Sequence, residues 1–379
     1  MSNSDPTEGL LPCVALARLV DHHCHGLIGT DLDRPAFEAL LTEADAVSPL
    51  GTSLFDSLIG LAVRRWCAPV LDLPPLAEPD DYLARRAELG AVEVNRRFLR
   101  TTGTDTYLVD EGFRAAELTS PGELGTLAGA RTERIVRLET VAEDLARAGV
   151  SAAGFAEEFR TELEKRAAGA VGCKSIAAYR VGLDLAGERP AEDEVRAAAG
   201  DWLATGTPRL ANPVLHRFLI WAGIDLRLPV QFHVGYGDSD VDLHRCDPLL
   251  LTDLLRATAP TGVPILLLHN YPYHRHAGYL AQVFPHVFFD LSLCVHNVGF
   301  RADAVIAEAV ELAPFGKFLF ATDAFGLAEF YHLGTLLFRR GLSRFLSTGI
   351  DAGELSTTDA ARITALVTAA NARRAYTLD

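Results

Sequence analysis

No basic run occurs anywhere in the 379 residues; 35 Lys and Arg stand against 50 Asp and Glu, for a formal net charge of -15. Binding to nucleic acid needs clustered cations to neutralise phosphates, so no nucleic-acid partner is expected. An anionic small molecule stays open, because a few local cations or a metal outweigh the global sign within a Debye length of about 10 Å. Long hydrophobic runs are also missing. No apolar stretch reaches the roughly 20 residues that a bilayer demands, so no membrane association is expected. The six cysteines (Cys13, Cys24, Cys67, Cys173, Cys246 and Cys294) are scattered and form no C-x-x-C pair. They read as reduced, buried small residues of a cytoplasmic protein. Residues 1–6 carry no Lys or Arg, and the apolar run after them is broken by Pro12 and Arg18, so no signal peptide is expected. Internal repeats and low-complexity tracts are absent too. So is a glycine-rich turn after an early strand, which argues against an open doubly wound sheet.

What is present fits a globular chain, with 49% hydrophobic and 22% charged residues. Eight short apolar segments end in polar residues, at 17–24, 104–110, 134–139, 169–179, 228–233, 264–269, 287–293 and 317–322. Helix-patterned stretches lie between most of them. Alternating strands and helices predict parallel strands with crossover helices, and eight repeats close into a (β/α)8 TIM barrel, here expected as one domain over 1–379. The gap between the first two segments is too long for one crossover. Residues 27–103 are read as a helical insertion beside the barrel mouth, with helices expected at 37–44, 53–66 and 80–100. Closing helices are expected at 327–345 and 358–375.

The end of the first segment reads Val20-Asp21-His22-His23-Cys24-His25. On a regular strand Asp21, His23 and His25 share one face, while His22 and Cys24 point the other way, so His22 is not expected to be a ligand. Two imidazoles aimed at one point suit a borderline metal such as zinc, with manganese as an alternative. Barrel enzymes place their chemistry at the C-terminal ends of the strands, and those ends carry Glu139, Lys174, His233, His269 and Asp323. In a metal-hydrolase reading, His23, His25 and His233 hold a divalent ion through nitrogen. Asp323 holds it, or its water, through oxygen. Such an ion lowers the pKa of bound water to about 7. Asp323 then shuttles a proton to the leaving group, and His269 polarises a carbonyl or steadies an oxyanion.

Several motifs jointly resemble the amidohydrolase superfamily, in its amidohydrolase-2 branch. They are Val20 to His25, Arg137-Leu138-Glu139-Thr140, Lys174-Ser175-Ile176-Ala177-Ala178-Tyr179-Arg180, Gln231-Phe232-His233-Val234-Gly235-Tyr236-Gly237-Asp238, Leu268-His269-Asn270-Tyr271-Pro272-Tyr273 and Ala321-Thr322-Asp323-Ala324. Within that branch the chain is most similar to the amidohydrolase domain of FluG- and nodulin-like proteins, without the glutamine synthetase part fused to it there. The resemblance implies a metal-dependent barrel hydrolase with ligands at His23, His25, His233 and Asp323, and a functional link to a glutamine synthetase-type enzyme. It leaves open a non-oxidative decarboxylase using the same metal, or a barrel serving as a non-catalytic scaffold. It also leaves Lys174 with two readings: a carboxylated lysine bridging two metals, or an amine that pairs with Glu139 or binds a substrate carboxylate. Glu139 is itself read as an alternative second ligand.

Other residues carry paired expectations. Arg180 either clamps a substrate carboxylate through parallel hydrogen bonds or pairs with Asp184. Gln231 either contacts substrate or fills the barrel interior. Tyr271 is expected to line the pocket, whereas His274 and His276 fit a solvated loop. His216, His244, His286, His296 and His332 are read as structural or exposed. The expected substrate is a small polar molecule bearing a carboxylate, with an amide C–N bond or a lactone as the scissile group, and the expected oligomer is a homodimer by analogy.

Overall fold

A computed structural model describes residues 9–379, so the stretch read for a leader, residues 1–6, lies outside the described residues. Seven strands form one parallel sheet in sequence order: β1 (Leu19–Cys24), β2 (Thr104–Asp110), β3 (Arg131–Arg137), β4 (Ala170–Ser175), β5 (Val230–Val234), β6 (Ile265–His269) and β7 (Val287–Phe289). The sheet curls. Val20, Leu108, Ile135, Leu266 and Phe288, one from each of five strands including both edges, meet Leu319 in a single buried cluster. That contact requires the first and last strands to come round to the same interior. Ala372, Ala375 and Tyr376, from the terminal helix Asn371–Tyr376, pack into the same cluster and plug the lower end. The second apolar layer lies between the outer face of the strands and the helices, as a parallel sheet covered on both faces requires.

The eighth expected segment does not form a ladder strand among the described residues. It nevertheless hydrogen-bonds both sheet edges: Leu319 N donates to Phe289 O (2.9 Å), His22 N to Phe320 O (3.2 Å) and Asp323 N to His23 O (2.9 Å). The third segment is also shifted. The strand is Arg131–Arg137 and the helix Leu138–Arg147 follows at once, so Glu139 lies in a first helical turn rather than at a strand end.

β1 departs from regular alternation. Its register with β2 shifts between Asp21 and Cys24, so a bulge puts two consecutive residues on one side. Val20 and His22 face the interior, and after the bulge so do His23 and His25, while Cys24 packs outward with its thiol on Leu108 O. The expectation that His22 turns away from the interior is therefore wrong. Its ring is nonetheless engaged below the site, with Nδ1 3.0 Å from Tyr376 Oη and Nε2 2.8 Å from Asp290 Oδ2.

Between β1 and β2 the chain is largely helical, with Arg34–Ala39, Leu58–Ala62, Pro79–Leu89 and Ala91–Thr101. The long helix expected at 80–100 is two helices because Gly90 sits between them at φ 75°, a conformation that breaks a helix. Pro79–Leu89 is tied to the closing helix Ala328–Asp351 by the buried pair Arg86–Glu329 (2.8 Å), which Tyr82 Oη also joins (2.9 Å). No helix among the described residues is long and apolar enough to cross a membrane. All six cysteines are unpaired, and five of them are buried.

Candidate active site

The strand ends converge on a cavity of about 930 Å³. β1 contributes His23, with His25 directly after the strand, β2 Asp110, β3 Arg137, β4 Lys174 and β5 His233. His269 ends β6, and Asp323 follows the segment that joins the two edges. Two of these residues sit in left-handed backbone, His269 at φ 69° and Asp323 at φ 53°, and Asn270 beside His269 has φ 65°. Such conformations cost on the order of 1 to 3 kcal/mol each and persist only where the surroundings enforce them. Here they turn both side chains inward off their strand ends.

Asp323 is the hub. Its Oδ1 lies 3.0 Å from His23 Nε2 and 3.3 Å from His25 Nε2, and its Oδ2 lies 3.3 Å from His269 Nδ1. Yet Asp323 Oδ1 is buried with no aligned hydrogen bond, as are His23 Nδ1 and His269 Nε2. Of these, Asp323 Oδ1 is the atom that two imidazoles approach, and an unpaired buried carboxylate oxygen facing ring nitrogens is what a cation would satisfy. Two sets of donor atoms close enough to share an ion are His23, His269 and Asp323, and His23, His25 and Asp110. A nitrogen and carboxylate set of this kind fits a divalent ion such as zinc or manganese. Burial by itself would raise the Asp323 pKa, but the imidazoles of His269, His23 and His25 hold it well below the usual carboxylate range. Burial, with the Lys174 charge second, pushes His23 down to about 4 and His233 down to about 3, so both rings are neutral and able to ligate at pH 7.

The remaining expected residues fall in different places. His233 is not in either converging set. Its Nε2 is 3.1 Å from Tyr236 O and its ring lies against Tyr179 and His269, with centroids 4.4 and 4.5 Å away. Lys174 is central: its Nζ is 2.8 Å from His23 Nε2 and 3.9 Å from Asp110 Oδ2. Burial lowers its pKa against the pull of Asp110 and Asp323. Lys174 does not pair with Glu139. The Glu139 Oε1 atom instead accepts from Ser175 Oγ (2.7 Å) and Ile176 N (3.0 Å) and faces His216 Nδ1 at 3.2 Å, so this carboxylate pins the turn after β4 and stands outside the converging donors.

Arg180 lines the cavity, and its partner is Glu143 (3.4 Å) rather than Asp184. Gln231 does not reach the cavity. Its Nε2 donates to His22 O (2.8 Å) and Tyr376 Oη (2.7 Å), so it fills the barrel interior one layer down. Tyr271 stays off the cavity wall as well, packed against Tyr236 and His274. His274 and His276 pair with Glu308 and Asp247, and His274 is buried rather than solvated.

Sequence reasoning passed over three residues of the cavity wall, Arg137, His296 and Glu43, and also Asp110, which pairs with Arg137. Asp110 and Arg137 form a buried pair, with Asp110 Oδ2 2.6 and 3.1 Å from the guanidinium, and both end strands, so the strand-end rule would have flagged Asp110 from its segment and Arg137 once β3 stops there. His296 is among the histidines read as structural or exposed. It lines the cavity on the helix Cys294–Asn297, is buried, stacks on Phe330 at 4.8 Å, and has no protein hydrogen bond on either ring nitrogen. No spacing in the sequence signals it. Glu43, from the segment between β1 and β2, also lines the cavity, and burial together with nearby Asp323 raises its pKa to about 7.

Comparison with known proteins agrees with this geometry. The amidohydrolase family model matches residues 71–378, a span that starts after His23 and His25. The chain is 26% identical to Protein fluG of Emericella nidulans over 95% of its own length, and spans only 46% of that protein. A solved structure from Lactobacillus casei ATCC 334, described as a "putative metal-dependent hydrolase", superposes with a TM-score of 0.85 at 33% identity, covering 96% of each chain. Uronate isomerase from Thermotoga maritima shares the fold at a TM-score of 0.66 and 13% identity, over 99% of this chain and 100% of that one. The ring of strand-end donors, the matched model and the near full-length superposition together place the chain in the amidohydrolase family, as a hydrolase-type enzyme with a metal-dependent hydrolase fold.

Proposed function

We propose that this protein is a cytoplasmic hydrolase that uses one divalent ion, zinc or manganese, to cleave a small polar substrate bearing a carboxylate. An amide C–N bond is the favoured scissile group and a lactone the alternative. The observation that carries this reading is the approach of His23 Nε2 and His25 Nε2 to within 3.3 Å of one unpaired Asp323 oxygen. His23, His25 and Asp323 would hold the ion, with the His269 nitrogen within reach. When bound, it supplies Lewis acidity toward a carbonyl and toward water.

The protein's own groups do the rest. Asp323, held ionised by its imidazole neighbours, accepts the proton of the attacking water and returns it to the leaving atom. Lys174 at the floor and Arg180 at the wall supply cations for a substrate carboxylate, which accounts for an anionic substrate on an acidic protein. Phe113 and Phe325, 5.1 Å apart beside His25, shield that side from water. We read residues 27–103 as an inserted lid on a single barrel domain, since Ile28, Leu40 and Glu43 all reach the cavity from it. A homodimer and a link to a glutamine synthetase-type enzyme belong to the same proposal.

The test is metal content by inductively coupled plasma mass spectrometry on protein purified without added metal. About one zinc or manganese per chain, lost in His23→Ala, is expected. Two would promote Lys174 to a bridging ligand, and none after reconstitution removes the metal reading. Amides, lactones and acids are then screened, with amine release scoring hydrolysis and carbon dioxide release scoring decarboxylation. On the substrate so found, Asp323→Asn is expected to lower kcat on the order of a thousandfold, while Arg180→Ala raises KM about tenfold.

A further inference from the structure

A run of buried polar side chains beneath the converging donors has no part in the hydrolytic scheme above. Asp290, one residue past β7, is fully buried. Its Oδ1 accepts from His269 N (2.8 Å), Ser292 N (2.8 Å) and Ser292 Oγ (2.6 Å), and its Oδ2 lies 2.8 Å from His22 Nε2. Ser292 Oγ is in turn 2.8 Å from His269 Nδ1.

Proton counting settles the direction of that last contact. A serine hydroxyl has one proton, and Ser292 gives it to the Asp290 carboxylate. Toward His269 it can therefore only accept, so Nδ1 carries a hydrogen. The other group near Nδ1, Asp323 Oδ2 at 3.3 Å, is an acceptor as well. A neutral imidazole protonated on Nδ1 has a bare Nε2. That atom is buried without a protein partner, on a residue that lines the cavity.

We propose that Asp290 and Ser292 are positioning residues that lock His269 in its Nδ1–H tautomer and so present the Nε2 lone pair to the cavity. The inference deepens the hydrolase reading and rests on it for function, although the tautomer itself does not. Its consequence is that His269 acts at Nε2 as an acceptor, for a proton or for a cation. It does not donate to a carbonyl oxygen, the role its place in the sequence suggested. Asp290 also takes His22 as a neighbour, so the lock is anchored to β1 and, through Tyr376 Oη, to the terminal helix.

The experiment is long-range 15N–1H correlation NMR of the zinc-loaded, 15N-histidine-labelled protein at pH 7.5, with His269 assigned by its loss in His269→Gln. A protonated Nδ1 and an unprotonated Nε2 are expected in the native protein. Ser292→Ala, which nearly preserves volume, should lose this single-tautomer pattern, and Ser292→Thr, which keeps the hydroxyl, should retain it. Asp290→Asn should behave like Ser292→Ala; thermal melts identify any variant that fails to fold, and the Ala and Thr pair at position 292 carries the test by itself. A protonated Nε2 in the native protein, or an unchanged pattern in Ser292→Ala, overturns the proposal. If the native protein holds no metal but shows the Nδ1–H pattern, the hydrolase reading fails while the lock stands.

Discussion

The most consequential single residues are those whose charge is buried and answered by a buried counter-charge. Asp110 is 1% exposed, and burial would raise its pKa, but Arg137 leads the cations that hold it well below the carboxylate range. Removing one member of such a pair typically costs 3 to 5 kcal/mol, because the other is left charged and desolvated. Arg137→Met is therefore expected to lower the unfolding free energy by about 3 kcal/mol in urea titration. A loss below about 1 kcal/mol would mean that Asp110 is answered from elsewhere, with Gly112 N, which donates to its Oδ1 at 2.8 Å, and Lys174 at 3.9 Å the candidates. Asp110 was legible, since it ends the apolar segment 104–110, whereas Arg137 lies inside the segment read as 134–139 and ends only the observed strand. The pair escaped notice because Arg137 preceded the Glu139 that the motif emphasised, and the placement of Glu139 depends on where β3 stops, which local pattern leaves loose by several residues.

At the scale of elements, the loops after β5 and β6 matter most, because they follow His233 and His269, which those strands bring to the site. Gly235 joins the two loops. It has φ 81°, its N donates to Cys246 O, and the next residue's N donates to Tyr271 O at 2.9 Å. A Cβ on Gly235 would lie 2.3 Å from Tyr271 O, a backbone atom that cannot turn aside. Gly235→Ala is expected to destabilise by about 2 kcal/mol, through strain and the clash together. Thermal denaturation checks this, and an unchanged midpoint would show that the two loops separate freely. The β1 bulge is the element that sequence pattern misjudged. Alternation holds from Leu19 to His22, then one extra residue reverses it, so His23 and His25 reach the interior while His22 remains there too. Bulges arise from pairing with the neighbouring strand and leave little trace in a single segment.

For the whole molecule, the buried histidines away from the site set its acid tolerance. His332 is buried between two helices, its Nδ1 2.7 Å from Thr101 Oγ1, and burial lowers its pKa to about 4. His286, on Thr258, is likewise lowered to about 4 by burial. Both are neutral in the folded state at pH values where the unfolded chain already binds a proton. The unfolded state therefore binds more protons between about pH 6.5 and 4, and stability falls as pH falls through that window. The buried His332 alone accounts for about 2 kcal/mol of loss by pH 5. Chemical denaturation at pH 7.5 and pH 5 should show this decline, and His332→Gln should flatten it. Equal stability of the native protein at the two pH values would refute the assignment.

The order of residues determined the class of architecture and most of the chemistry at the strand ends. Apolar segments alternating with helix-patterned ones require parallel pairing, and a parallel sheet puts each segment's C-terminal residue on one rim. His23, His25, Lys174, His269 and Asp323 were legible for that reason. Only the tertiary structure decided which of their atoms meet. The curl of the sheet brings Asp323 within 3.3 Å of three imidazoles from two distant strands. It also turns Gln231 onto Tyr376 rather than into the cavity, and places His296 on the wall. Those outcomes depend on bulges, left-handed turns and contacts across hundreds of residues, which are energies of packing and not of local pattern.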